Sequence, residues 1–129
     1  MRWAVGVVLA GIVTGWGGPA AVHEWREHVP EQARVRVNPE AGSAAQAGAK
    51  VYGERCASCH GAAAAGRGRR PSLRTERVRG SSDGELMWLL ENGELRYGMP
   101  SWSGLPEEQR WEVIRYLRTL PVEEGTSKQ

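Results

Sequence analysis

The 129-residue chain has no phenylalanine, only two cysteines and only three histidines. Two cysteines cannot form the multi-bridge disulfide framework that stabilises many small secreted domains. The formal net charge of +2 excludes the strongly basic character typical of nucleic-acid-binding proteins. A domain of this size buries little apolar surface and is marginally stable without a disulfide, a metal or a cofactor. These absences favour a cofactor-stabilised domain that does not bind nucleic acid.

Charged residues are also absent from Trp3 to Val22, directly after Arg2. As a helix, this stretch would span about 30 Å, the thickness of one bilayer core. Its densest apolar part, Ala4 to Val13, is shorter and is typical of a secretory signal peptide. Two interpretations of this segment therefore stay open: a cleaved signal peptide, and an uncleaved membrane anchor through residues 3–22. Both predict an exported domain, in the periplasm or on the outer face of the cytoplasmic membrane, with the N-terminus inside.

The distribution of prolines and charged residues divides the chain into four segments. Residues 1–22 are the signal peptide or anchor, and residues 23–43 are polar, proline-containing and predicted to be a linker. The expected domain covers residues 44–121, and residues 122–129 are expected to form a flexible tail. Because the domain contains no strand pattern, we predict an all-α fold with three main helices, preceded by the N-terminal hydrophobic helix.

Helix signals set the expected boundaries of those three helices. An alanine-rich segment with an apolar stripe predicts the first over residues 44–59. The second is predicted over residues 82–92, where Glu85 completes a capping box with Ser82. The third begins at Pro106, which suits a first helical turn, and ends before the next proline.

Both cysteines lie in Cys56-Ala57-Ser58-Cys59-His60, a C-x-x-C-H sequence typical of haem attachment. Two intervening residues let the thiols add to the two vinyl groups of the porphyrin, and the next residue is an iron ligand. A thioredoxin-like pair would need a βαβ pattern, and a structural zinc site would need four ligands. We therefore predict one haem c, held by Cys56 and Cys59, with His60 as an axial ligand.

The second axial ligand is expected to be a methionine, because a thioether stabilises ferrous iron. Met1 belongs to the targeting segment, and Met87 lies within a predicted helix, where core packing is the better interpretation. Met99 lies in a loop between Gly98 and Pro100. Gly98 gives the backbone freedom to bring the methionine to the iron, and Pro100 stiffens the chain that follows it. We predict Met99 as the ligand, with an open or different sixth site as the alternative.

With these features, the chain resembles the class I bacterial cytochromes c, particularly those that are membrane-anchored or associated with respiratory enzymes. The resemblance covers residues 44–120. It rests on six segments: Gly48-x-x-x-Tyr52-x-x-x-Cys56, the haem motif, Pro71-Ser72-Leu73, residues 82–86, Gly98-Met99-Pro100-Ser101-Trp102 and residues 111–120. It implies a small cytochrome c fold in which the first and last helices cross at Gly48, and Tyr52 packs against Tyr116 and Leu117.

The resemblance also implies how the haem ligands are supported. The Pro71 carbonyl should accept the Nδ1 proton of His60, which fixes the ring tautomer. The side chains expected to line the haem pocket, with core packing as the alternative, are Leu73, Trp88 and Trp102. The chain departs from its relatives at residues 62–66, where alanines replace the usual Gly and Asp.

The implied function is electron transfer in a respiratory or dehydrogenase chain, without enzymatic activity, to or from an oxidase, dehydrogenase or reductase. The alternative is a haem protein with a labile sixth ligand that senses or transforms a small molecule. Residues 61–80 are predicted to be a long loop without secondary structure. Its arginines, Arg67, Arg69, Arg70, Arg74, Arg77 and Arg79, form either a basic docking face for an acidic partner or a solvated loop that neutralises haem propionates.

Overall fold

A computed structural model of the chain describes residues 25–123. In this range there is no strand, and the only β-type pairings are two isolated bridges. The α-helices are α1 (Glu31–Arg34), α2 (Gln46–Arg55), α3 (Ala57–His60), α4 (Glu76–Gly80), α5 (Asp83–Asn92) and α6 (Glu107–Thr119). Turns of 3-10 helix occur at Trp25–His28 and Leu95–Tyr97. The predicted all-α class is confirmed for this part of the chain.

The expected N-terminal hydrophobic helix lies outside the described residues. Between residues 25 and 123, no helix is both long enough and apolar enough to cross a bilayer. Whether residues 1–22 are an anchor or a signal peptide stays a prediction.

The contact between α2 and α6 forms the centre of the domain. A Cβ atom added at Gly48 would lie 2.6 Å from the carbonyl carbon of Glu112 and 2.8 Å from Cβ of Tyr116, so only glycine fits there. One turn later, the ring of Tyr52 lies 5.4 Å from the ring of Tyr116. Both expected contacts are therefore present. The buried residues around this contact are Val51, Tyr52, Ala64 and Val113.

Helix α5 begins with the predicted capping box. The Ser82 hydroxyl accepts a hydrogen bond from the backbone N–H of Glu85 (3.0 Å), and the Glu85 carboxylate accepts one from the backbone N–H of Ser82 (2.7 Å). Further along α5, Met87 is fully buried. Its predicted role in core packing is confirmed, and it forms a second apolar cluster with Leu86, Trp111 and Ile114.

Two sequence-based boundaries are wrong. The predicted first helix is divided into α2 and α3, because φ at Cys56 is −114° and interrupts the regular helical path. The segment predicted to have no secondary structure contains α4. Its N-terminus is capped by Thr75, whose hydroxyl accepts a hydrogen bond from the N–H of Val78. A threonine cap followed by Glu76 is a recognisable local helix signal.

Residues 25–38, part of the predicted linker, pack against the domain, and we call them the N-terminal strap. The start of α5 lies so close to the strap that a Cβ atom at Gly84 would overlap the carbonyl oxygen of Ala33. The Ser82 hydroxyl donates to the carbonyl oxygen of Arg34 (2.7 Å). Arg34 also forms an ion pair with the largely buried carboxylate of Glu85. The N-terminus of α5 is thus joined to the strap by packing, a hydrogen bond and a charge pair.

The second half of the strap is held by α5 and α6 together. The Arg36 guanidinium forms ion pairs with Glu91 (2.9 Å) and Glu107 (2.8 Å) and lies 5.1 Å from the centre of the Trp111 ring. Asn38 is buried and donates to the backbone carbonyl of Trp111 (3.2 Å). Residues predicted as a linker are therefore an integral part of the packed structure.

Candidate haem site

The C-x-x-C-H motif forms a helical turn directly after α2. The backbone N–H of Cys56 donates to the carbonyl of Tyr52 (2.8 Å), and that of His60 donates to the carbonyl of Cys56 (2.9 Å). In a helix, residues three and four apart lie on one face. Cys56, which caps the N-terminus of α3, therefore lies on the same side of this turn as Cys59 and His60. The two cysteines are partly buried and form no disulfide.

The environment of Cys56 does not suit a thiol redox centre. Burial, and secondarily the neighbouring Cys59, raises the pKa of the Cys56 thiol to about 11. A catalytic dithiol needs a lowered pKa so that a thiolate is present at neutral pH. In the described part of the chain, no three His, Cys, Asp or Glu side chains are grouped so that they could hold a metal ion. Two thiols and one imidazole on a single turn are the donor set that fits a covalently attached haem.

The imidazole of His60 has a defined orientation. Its Nδ1 lies 2.9 Å from the carbonyl oxygen of Pro71. Because a backbone carbonyl only accepts hydrogen bonds, Nδ1 carries a proton, and in the neutral ring Nε2 therefore has the lone pair that can bind a metal. The hydrogen bond implied by the family resemblance is therefore present.

The segment after the motif folds back onto it through several hydrogen bonds. The Tyr52 hydroxyl donates to the carbonyl of Gly61 (2.6 Å), and the N–H of Gly66 donates to the carbonyl of His60 (2.8 Å). Burial, and next the neighbouring Cys56, raises the pKa of Tyr52 to about 12, so its phenol stays a donor at neutral pH. These contacts anchor the C-terminal end of the haem motif to α2.

Ala64 explains how the alanine-rich turn closes. It is completely buried and adopts a φ of +58°, in the left-handed region that favours glycine. Its carbonyl accepts hydrogen bonds from the N–H of Leu73 (2.8 Å) and the hydroxyl of Ser72 (3.3 Å). A left-handed conformation costs an alanine about 1 kcal/mol, which burial of its methyl group and these hydrogen bonds offset.

Met99 lies in a tight loop beyond the end of α5. The N–H of Glu94 donates to the carbonyl of Met99 (2.8 Å), and the N–H of Met99 donates to the carbonyl of Glu94 (3.0 Å). Gly98 adopts a φ of +81°, so the backbone freedom expected of this glycine is used. The N–H of Trp102 donates to the carbonyl of Leu90 (2.6 Å), which attaches the chain after Met99 to α5.

Arg110 is a buried residue of the site that the sequence analysis missed. Its guanidinium donates to the carbonyl oxygens of the segment after Met99: Trp102 (3.4 Å), Ser103 (3.1 Å) and Leu105. It also lies 3.7 Å from the carboxylate of Glu91 and 3.4 Å from the sulfur of Met87. A charged residue next to Trp111 on the apolar side of α6 was the only signal available in the sequence.

The three side chains expected to line the haem pocket are all partly buried. Leu73 is partly buried and packs against the cluster around Val51 and Tyr52. Trp88 and Trp102 are also partly buried. Their contact with a haem stays a prediction.

Most of the predicted arginine cluster is used to hold the structure together. Arg67 donates to the carbonyl of Ser58 (3.0 Å), and Arg70 donates to the carbonyls of Tyr97 (3.4 Å) and Gly98 (3.1 Å). Arg74 and Arg79 donate to the last carbonyls beyond α6. Arg74 also forms an ion pair with Glu123 (3.2 Å), whereas carbonyl acceptors leave the positive charges of Arg67, Arg70 and Arg79 in place.

Comparison with known proteins identifies matches over this region. The family described as cytochrome C oxidase, cbb3-type, subunit III, matches residues 43–117. Cytochrome c550 of Pseudomonas aeruginosa is 30% identical over an alignment of 105 residues that covers 78% of this chain and 70% of that protein. The family match includes the C-x-x-C-H turn and the Met99 loop, and it begins after the N-terminal strap.

Proposed function

Since this chain belongs to the cytochrome c family, we propose that it carries single electrons on one haem c, with His60 and Met99 as axial ligands. Its cofactor is covalently bound haem c, as the family implies. The observation that supports the ligand assignment best is the Pro71 hydrogen bond to His60, which leaves Nε2 able to bind a metal.

Each part of the site has a role in this function. Cys56 and Cys59 would hold the porphyrin covalently, and haem c, when bound, supplies an iron that gains and loses one electron. His60 keeps one tautomer because its Nδ1 proton is engaged. The hydrogen bonds between Glu94 and Met99 hold the second ligand in a tight loop, so little protein structure needs to change between oxidation states. No substrate bond is made or broken, so the chain is an electron-transfer protein and not itself an enzyme.

The redox partner is proposed to be an oxidase complex. The matching family is described as a subunit of an oxidase, which supports this choice over a dehydrogenase or reductase. The arginines between residues 67 and 79 supply a basic surface next to the haem motif, and Arg67 contacts that motif directly at Ser58. Such a surface suits an acidic partner. We place this exchange in the periplasm or on the outer face of the cytoplasmic membrane.

The ligand set is tested with protein matured in a host that attaches haem c. We expect covalent haem in a pyridine haemochrome assay and a sulfur-to-iron charge-transfer band in the ferric spectrum. Met99→Leu should abolish the band. Met87→Leu is the matched control, because Met87 is fully buried in the core and a swap of similar volume is well tolerated.

Two results would contradict the proposal. Protein without covalent haem would exclude the whole assignment, and a band that persists in Met99→Leu would exclude Met99. Rapid, high-affinity binding of carbon monoxide to the native ferrous protein would favour the alternative function, in which the sixth ligand is labile and a small molecule binds the iron.

A further inference from the structure

Arg70 lies between the two segments that support the proposed axial ligands. It directly precedes Pro71, whose carbonyl oxygen holds the imidazole of His60. Its Nη1 atom lies 3.1 Å from the carbonyl oxygen of Gly98, the residue directly before Met99. The same nitrogen lies 3.4 Å from the carbonyl oxygen of Tyr97. Arg70 therefore links the backbone that supports His60 to the loop that contains Met99.

The backbone of Arg70 is itself held in place. Its N–H donates to the carbonyl of Arg67 (2.8 Å), and its carbonyl accepts from the N–H of Arg67 (3.1 Å). Gly68, at a φ of +55°, allows the chain to reverse between them. Because two backbone hydrogen bonds close this turn, the Cα atom of Arg70 has a fixed position next to the segment that supports His60.

The Met99 loop offers two acceptors to that side chain. The N–H groups of Tyr97 and Gly98 are used within the loop, where they donate to Glu94 and Leu95. Their carbonyl oxygens face Arg70. A guanidinium that donates to carbonyls forms charge-assisted hydrogen bonds, which are stronger than neutral ones. Opening of the loop would break both of these hydrogen bonds.

The neighbouring arginine provides a contrast within the same turn. Arg69 is exposed, and among the described residues its side chain forms no hydrogen bond or ion pair with either ligand segment. Arg67 contacts only the haem motif side, through Ser58. The link between the two segments therefore belongs to Arg70 and does not follow from the general positive charge of this surface.

We propose that Arg70 is a positioning residue that latches the Met99 loop to the His60 segment and so limits access of external ligands to the sixth iron position. This inference rests on the proposed ligation by Met99. An external ligand binds only when the methionine loop is open, so its apparent affinity scales with the open fraction. Loss of an exposed charged hydrogen bond should raise that fraction about fivefold.

The test uses the complete holoprotein and imidazole as the external ligand of the ferric iron. Arg70→Gln should bind imidazole about fivefold more tightly than the wild type. Arg69→Gln removes the same charge one residue away and should stay within about twofold. Arg70→Lys should recover part of the wild-type resistance, because an ammonium group can donate to the same carbonyls.

The results separate this inference from the proposed function. Equal imidazole affinity in Arg70→Gln and Arg69→Gln would overturn the latch, although the wild-type charge-transfer band would still support Met99. A lower denaturation midpoint in Arg70→Gln with unchanged imidazole affinity would overturn it too, since that is what a purely structural role predicts. Absence of the band in the wild type would overturn the Met99 ligation and the latch together.

Discussion

The contact of α2 with α6 leads to a quantitative prediction for Gly48→Ala. The new methyl carbon would lie 2.6 Å from the Glu112 carbonyl carbon and closer still to its oxygen, and 2.8 Å from Cβ of Tyr116. Carbon atoms in contact lie about 3.5–4.0 Å apart, so the two helices would have to separate by roughly 1 Å. The obstacle is backbone, which cannot rotate away. Overpacking of a core costs about 1–3 kcal/mol, and we expect the upper end or slightly more.

Gly53 supplies a control in the same helix. A Cβ atom there meets nothing within 4 Å, and the residue is exposed. Alanine is favoured over glycine inside a helix by roughly 0.5–1 kcal/mol, so Gly53→Ala should stabilise the domain. The same chemical change five residues apart is therefore expected to have opposite signs.

Thermal unfolding of the holoprotein, followed by haem absorbance, measures both effects. For a domain of this size, 1 kcal/mol corresponds to about 4–8 °C in Tm. Gly48→Ala should lower Tm by about 12 °C or more, and Gly53→Ala should raise it by about 2–8 °C. A Gly48→Ala protein that melts at or above the wild-type temperature would refute the close approach of the two helices.

Two further predictions concern the N-terminal strap and the basic surface. Gly84→Ala should displace the strap from α5 and destabilise the protein by about 1–3 kcal/mol, while the charge-transfer band stays unchanged. Limited proteolysis should then cut within residues 25–38, and wild-type resistance would contradict this packing. Electron exchange with an acidic partner should slow steeply as ionic strength rises from about 0.01 to 0.15 M, where the Debye length falls from about 30 to 8 Å. Rates that do not depend on salt would exclude electrostatic docking by the arginines.

Local sequence signals predicted the features that depend on neighbours in the chain. The capping box of Ser82 and Glu85 is specified by a spacing of three residues, and the structure shows both of its hydrogen bonds. The C-x-x-C-H turn is local in the same sense. The family resemblance added the contact of Gly48 with α6 and the hydrogen bond of His60 to Pro71, which no local pattern specifies.

Two of the missed features, the strap and the burial of Arg110, depend on contacts that form only in the folded chain. The strap is polar and contains prolines, and its packing becomes visible only when Arg36 is placed between Glu91 and Glu107. Arg110 is a charged residue that is buried because three carbonyls of the loop before α6 turn back towards it and accept hydrogen bonds from its guanidinium. A buried charged residue needs hydrogen-bond acceptors, so its burial can be predicted only when the positions of those acceptors are known.

The two proposed axial ligands depend on different kinds of support. Cys56, Cys59 and His60 share one turn, so covalent attachment depends on local hydrogen bonds, and the orientation of the first ligand depends in addition on the nearby Pro71 carbonyl. Met99 is held by a loop whose position depends on other parts of the fold, through Arg70 on one side and the buried Arg110 on the other. Loss of the Arg70 or Arg110 contacts should therefore release the methionine before it affects the histidine or the haem. Methionine ligation is therefore the feature of the site that is most sensitive to changes elsewhere in the chain. The reduction potential should change with it, because the axial ligand sets that potential.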